Sequence, residues 1–172
     1  MSKCNYVIDT SYLDEYYQID KYSKKQNFPE IKRLFEEAAR NESRSYVPIP
    51  VIFEIANHIE HVRNNRCYEL ADRFNDDIQK SCDKDSPFII VPCKEFESKR
   101  LIAENMNLFS NNYIKKGLGL TDTAVYLQAK KISETNKKFR KIYPFPVHIW
   151  TMDRRLKKLE PDPEKNPFMG FN

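Results

Sequence analysis

The sequence predicts an α/β domain in which a short central parallel sheet lies between helical layers, with an acidic pocket at the strand carboxyl edge. Three observations carry this. Four short apolar runs, at Tyr6–Asp9, Tyr46–Ile49, Phe88–Val91 and Val147–Thr151, are continuous rather than alternating. Strands buried on both faces read this way. Stretches with helical periodicity separate the runs, the pattern of parallel β-α units. Acidic residues close the first and last runs, Asp9 and Asp153, and that edge of an open α/β sheet is where ligands bind.

The elements follow in order. Tyr6 to Asp9 is the first strand, and Thr10 or Ser11 caps the segment Tyr12–Asp20. Asn27-Phe28-Pro29 opens a helix with proline in its first turn. Ile31, Leu34, Phe35 and Ala38 give that helix one apolar face as far as Arg40. Tyr46–Ile49 is the second strand, weakened by Pro48. Pro50 begins a helix with Val51, Ile55, Ile59 and Val62 on one stripe. A further helix spans Cys67–Ser81, and Phe88–Val91 is a strand closed by Pro92. Glu95–Asn111 is helical with a break near Asn105–Asn107, and Gly117 and Gly119 mark a turn. Thr121 caps a helix to Asn136, with Ala124, Val125, Leu127, Ala129 and Ile132 apolar. Tyr143–Pro146 connects it to the last strand. Leu156 and Leu159 support a short helix after Asp153. Residues 1–160 make one domain, and 161–172 a proline-containing tail extended on the surface.

Bulk properties narrow the function. With 172 residues the chain can bury a core as one domain. Three glycines argue against a glycine-rich phosphate loop. No apolar run approaches the roughly 20 residues of a membrane span, and Asp9 arrives too early for a secretory signal. The expected location is therefore the cytoplasm, with no membrane partner. Cys4, Cys67, Cys82 and Cys93 lack zinc-knuckle spacing and read as reduced thiols. The net charge of +4 is mild, so its distribution matters more. Arg154, Arg155, Lys157 and Lys158 cluster directly after Asp153 and are candidate phosphate contacts. Lys115 and Lys116 precede Asp122, and six basic residues fall between Lys130 and Lys141. Most such runs simply solvate helix faces.

Four acids then stand out. Asp9 ends Val7-Ile8-Asp9-Thr10-Ser11, and Glu54 lies early in the helix after the second strand. Asp122 opens a helix in Leu120-Thr121-Asp122-Thr123-Ala124-Val125-Tyr126-Leu127, and Asp153 sits in Thr151-Met152-Asp153-Arg154-Arg155-Leu156. Taken singly each has a bland role: a turn for Asp9, or a favourable charge at a helix start for Asp122 and Asp153. Gathered at one edge they would repel one another unless a hard cation neutralised them, and oxygen-only ligands suit Mg²⁺ or Mn²⁺.

These four motifs, in this order, resemble the PIN-domain family of ribonucleases over nearly the whole chain, from Tyr6 to about Leu159. The extra length relative to most single-domain members lies between Asp20 and Tyr46 and in the tail. The resemblance implies a PIN-like fold and hydrolysis of RNA phosphodiesters. One or two Mg²⁺ or Mn²⁺ ions would be held by Asp9, Glu54, Asp122 and Asp153, leaving a 5′-phosphate and a 3′-hydroxyl. It implies that Thr10, Ser11 and Thr151 hydrogen-bond those ligands. It also implies that Arg154, Arg155, Lys157 and Lys158 hold flanking RNA phosphates. Bacterial members are often toxins of toxin–antitoxin pairs, so an antitoxin protein and a homodimer are expected partners.

Two rival functions share these residues: a catalytically silent PIN-like module that binds RNA or protein, and a nuclease of DNA flaps, for which the chain is short. A different metal set, Glu54, His58 and His61 on one helix face, would suit Zn²⁺. The His-Glu-x-x-His arrangement is absent, and the two histidines read as exposed. His148, beside Trp150, reads as packed in its strand.

Overall fold

The computed structural model describes residues 3–91, 104–138 and 145–168. Its centre is a four-stranded, all-parallel sheet of β1 (Asn5–Ile8), β2 (Arg44–Pro48), β3 (Ile89–Val91) and β4 (Val147–Trp150), in the order β3-β2-β1-β4. Successive crossovers step from β1 to β2 to β3. The chain then returns past them to place β4 on the far side of β1, with Ile8 opposite Trp150. Strand order therefore reverses between β1 and β4, and crevices at such reversals are ligand sites.

Helices α1 (Thr10–Tyr17), α2 (Phe28–Arg40), α3 (Ile49–Glu60) and α4 (Arg66–Lys84) fill the first two crossovers. Residues 104–108 are helical (α5) and continue through a π-helical turn, Phe109–Tyr113, into a 3₁₀ turn, Ile114–Lys116. Helix α6 (Leu120–Lys138) packs on β4 and β1, and the short α7 (Arg154–Lys157) follows β4. The break anticipated near Asn105–Asn107 falls slightly later, as the wide turn at Phe109. The predicted helical residues 95–103 and the Pro92 stop lie outside the described residues, as does Cys93.

The expected apolar stripe on α3 is the core face: Val51 and Ile55 are fully buried, and Ile59 and Val62 nearly so. Burying such a side chain contributes about 1.5–3 kcal/mol, which explains why a helix with proline near its start forms here. Pro50 costs nothing at that position, because first-turn amides have no helical partner. On one face of β4, Trp150 packs against Tyr6, Tyr12 and Phe35 with ring centres 4.1, 5.5 and 5.2 Å away. This joins the sheet to α1 and α2. His148 is buried and pairs through Nδ1 with the Asp162 carbonyl at 2.7 Å, a packed residue as anticipated.

Two local expectations need correction. Helix α1 starts at Thr10, so its capping position is Asp9 rather than Thr10 or Ser11, and Gln18 in left-handed conformation (φ 53°) ends it. Helix α6 starts at Leu120, and its first turn is tied by the Gly119 amide donating to Asp122, not by Thr121. The tail from Glu160 is tied to the edge of β4. Asp162 exchanges two bonds with the Val147 backbone, Glu160 accepts from the Ile149 amide at 3.1 Å, and Asn166 donates to the Thr151 carbonyl at 2.8 Å. Residues 160–168 therefore satisfy the outer edge of β4.

The segment between α1 and α2 lacks periodicity, yet it is anchored. Glu15 is 1% exposed and accepts from Ser23 Oγ (2.7 Å), the Lys24 amide (3.0 Å) and Asn27 Nδ2 (2.9 Å). Replacing Glu15 by Gln turns one acceptor into a donor facing donors. Urea unfolding should show a loss of about 1–2 kcal/mol, with residues 18–27 cleaved faster by proteases. An unchanged midpoint would mean that the loop is held by something else.

Candidate active site

The four acids come from four separate corners of the fold. Asp9 leaves β1 and Asp153 leaves β4, flanking the reversal in strand order. Glu54 stands in the second turn of α3, and Asp122 in the first turn of α6.

Asp9 is 5% exposed. Its Oδ2 accepts from Ser11 Oγ and from Thr151 Oγ1, both at 2.8 Å. Each hydroxyl is itself fixed: Ser11 Oγ accepts from the Met152 amide and Thr151 Oγ1 from the Asp153 amide, both at 3.0 Å. Two of these bonds, Thr151 to Asp9 and the Met152 amide to Ser11, thus stitch the end of β1 to the end of β4, and the other two orient the hydroxyls locally. Thr10 Oγ1 donates to Glu54 Oε2 at 2.9 Å and ties α3 into the same corner. All three hydroxyl residues singled out in the sequence therefore touch one of the acids or its neighbour.

Burial pushes the Asp9 carboxyl up to about 6, against the pull of the Thr151 and Ser11 hydroxyls, and the charge of Asp122 raises it further. Burial raises Asp122 too, opposed by the Gly119 amide at 2.7 Å, with Asp153 and Glu54 adding repulsion. The four acids, remote in sequence, thus lie within electrostatic reach of one another. Among the described residues, however, no three His, Cys, Asp or Glu side chains converge tightly enough to form a ready-made metal cage.

Asp153 is already engaged by Arg155. Its side chain turns back onto Asp153, with Nη2 at 2.6 Å from Oδ2 and Nε at 3.2 Å from both oxygens, while its amide donates to Oδ1 at 2.6 Å. This fork holds the Asp153 carboxyl below its usual range. The guanidinium also feels Asp122, and it lies where a Cβ on Gly117 (φ 69°) would come within 2.5 Å of Nη1. A cation belonging to the chain therefore rests between two of the acids and the glycine turn.

The other basic candidates differ in placement. Arg154, Arg155 and Lys158 are exposed. Lys157 is 11% exposed, held by Glu160 at 2.6 Å and by the Ile149 carbonyl at 3.1 Å. It serves the tail rather than the open surface.

Sequence reasoning missed Asp14 and misplaced His58. Asp14 is 5% exposed, bonds His58 Nδ1 at 2.8 Å and lies near enough to Asp9 and Glu54 to feel both charges. Burial raises its carboxyl to about 6, against the pull of His58. His58 is only 16% exposed and lies flat against Tyr22, ring centres 3.6 Å apart, while His61 is 60% exposed and bonds the Asn57 carbonyl. The two histidines thus have separate surroundings and do not join Glu54 in a zinc set. The signal for Asp14 was its spacing, one turn along α1 from Thr10, which puts it on the same helix face.

No helix is long and apolar enough to cross a membrane among the described residues. No protein-family model matches the chain, and no curated protein matches it.

Proposed function

We propose that the protein is a PIN-like, metal-dependent ribonuclease that hydrolyses RNA phosphodiesters endonucleolytically. The single observation that carries this reading is the placement of Asp9, Glu54, Asp122 and Asp153 at the reversal of strand order. The donor set fits a hard divalent cation: it is all oxygen, and Asp9 and Asp122 hold their protons more tightly than usual, through burial and then through the charge of neighbouring acids. Asp9, Asp122 and Asp153, with Glu54, would hold one or two Mg²⁺ or Mn²⁺ ions. Such an ion supplies a lowered pKa for bound water and neutralises phosphate charge.

The chain's own residues supply the rest. Ser11 and Thr151 fix the orientation of the Asp9 carboxylate, and Thr10 does the same for Glu54. Ligands held by such partners bind metal more tightly than free ones. Arg154 and Lys158 would meet phosphates flanking the scissile bond. The role most in keeping with this reading is a cytoplasmic toxin restrained by an antitoxin, with homodimerisation as a further expectation.

One observation favours the alternative of a catalytically silent PIN-like module that binds RNA or protein: Arg155 already satisfies both oxygens of Asp153. Cleavage of labelled single-stranded RNA in Mn²⁺, Mg²⁺ or EDTA, wild type beside Asp9→Asn, separates the two. Metal-dependent cleavage lost in the variant supports the nuclease. Folded wild type that neither cleaves several RNAs nor binds Mn²⁺ by calorimetry is the silent module.

A further inference from the structure

The structure has a concave site at the opposite end of the sheet from the acids. A cavity of about 620 Å³ opens between α2, the amino ends of β2 and β3, and α4. That volume is in the range of small-molecule sites. None of the four acids lines it. One wall is α2, which supplies Phe28, Lys32, Phe35, Glu36 and Ala39.

The lining has a consistent chemistry. Tyr16, Phe28, Phe35 and Phe88 supply aromatic walls. Arg44 and Arg73 lie at the cavity, and among the described residues neither guanidinium is ion-paired with a carboxylate. Lys32 and Glu36 offset one another at 3.8 Å, so Asp85 is the remaining opposing charge. Arg73 is held over the Tyr16 and Tyr17 rings, its guanidinium carbon 5.1 and 5.0 Å from their centres. Such stacking orients a guanidinium while leaving its N–H groups free for an anion. Ser43, Ser45 and Ser86 bring short polar groups to the same space. Aromatic walls, two arginines at the margin and a few hydroxyls match a ligand that joins an aromatic ring to a phosphate.

We propose that this cavity binds a ribonucleoside monophosphate, with the base among Tyr16, Phe28 and Phe35 and the phosphate on Arg44 and Arg73. The proposal does not depend on the nuclease reading. It concerns residues at the other end of the strands, and it would hold for a catalytically silent protein.

The chain carries its own reporter. Trp150 is the single tryptophan, and it packs edge-on against Phe35, a residue of the cavity wall. The test is calorimetric titration of the full chain with each of the four ribonucleoside 5′-monophosphates in EDTA. Inorganic phosphate and the matching nucleosides run alongside, and Trp150 emission is followed in parallel. At least one monophosphate should bind and change Trp150 emission. Arg44→Ala and Arg73→Ala should each weaken it about tenfold, the scale of one lost charge-assisted contact. Both residues are exposed, so the variants should fold, which circular dichroism verifies. Asp9→Asn should leave the affinity unchanged.

The proposal fails if no monophosphate binds, or if phosphate alone binds as tightly. It fails if both arginine variants keep wild-type affinity, or if Asp9→Asn abolishes binding, since the ligand would then sit among the acids. Binding only of a 5′-phosphorylated oligonucleotide, lost on Arg73→Ala, would also overturn it and make the cavity an RNA-end site.

Discussion

Asp9→Asn should leave the protein more stable and less active at the same time. At neutral pH the variant should gain about 2 kcal/mol toward urea unfolding in EDTA, while RNA cleavage in Mn²⁺ falls at least about 10³-fold. The stability gain follows from proton linkage. The folded state raises the Asp9 carboxyl to about 6, mainly by burial, so the folded chain holds this proton more tightly than the unfolded chain does. That contribution is fully present below the ordinary carboxylate pKa and is lost as pH rises through about 6. Asp14, also raised to about 6, adds a component of the same sign. Asp153, held below its usual range, contributes in the opposite sense and only at lower pH. Asparagine removes the charge but keeps an oxygen for the Ser11 and Thr151 hydroxyls. Wild-type stability should therefore decline between about pH 4 and pH 6 more steeply than that of Asp9→Asn. Millimolar Mg²⁺ or Mn²⁺ should raise the melting temperature of wild type at pH 7 and have much less effect on the variant. A variant less stable than wild type at pH 7 would show that the hydrogen bonds to the charged carboxylate outweigh its desolvation.

Arg155→Ala should tighten Mn²⁺ binding about tenfold or more, as measured by calorimetry. A metal ion that uses Asp153 must displace the guanidinium fork from its oxygens, so the free-energy cost of releasing Arg155 is subtracted from metal affinity. The pair is exposed to solvent, with 59% of the arginine side chain accessible. Its loss should therefore leave folding stability almost unchanged. Gly117→Ala offers a second route to the same result, because the added Cβ would take the space of Nη1. The positive φ at that position adds backbone strain of about 1 kcal/mol or more, so the arginine variant is the cleaner measurement. If RNA cleavage is present, Arg155→Ala should also raise KM, because the released guanidinium is then a phosphate contact. Weaker Mn²⁺ binding in the variant would mean that Arg155 orients Asp153 for the ion rather than competing with it.

The sheet was legible in the sequence because its signals are local. Short apolar runs became strands, within two residues at their ends, and the stripe on α3 became the core face, since burial selects both patterns directly. The acids were legible as strand-end and helix-start residues, and the fold brings them into one electrostatic neighbourhood. Contacts without a period were not legible. Glu15 finds its partners 8 to 12 residues away in an irregular loop, and no spacing rule marks that. The path of residues 160–168 along β4 depends on side chains standing in for a strand, which leaves no alternation to read. Arg155 and Lys157 sit in one basic cluster, yet the first turns to Asp153 and the second to Glu160. A charge run records composition, whereas direction is set by the tertiary neighbours.

The hydrogen bond from Thr151 to Asp9 closes a loop of 142 residues, and the one from the Met152 amide to Ser11 a loop of 141. During synthesis the central strand β1 emerges long before its β4 neighbour. Until β4 has left the ribosome, Asp9 has neither Thr151 to orient it nor Asp153 beside it. A growing chain therefore carries three of the acids without the corner that brings them together, and the site can form only once β4 has emerged.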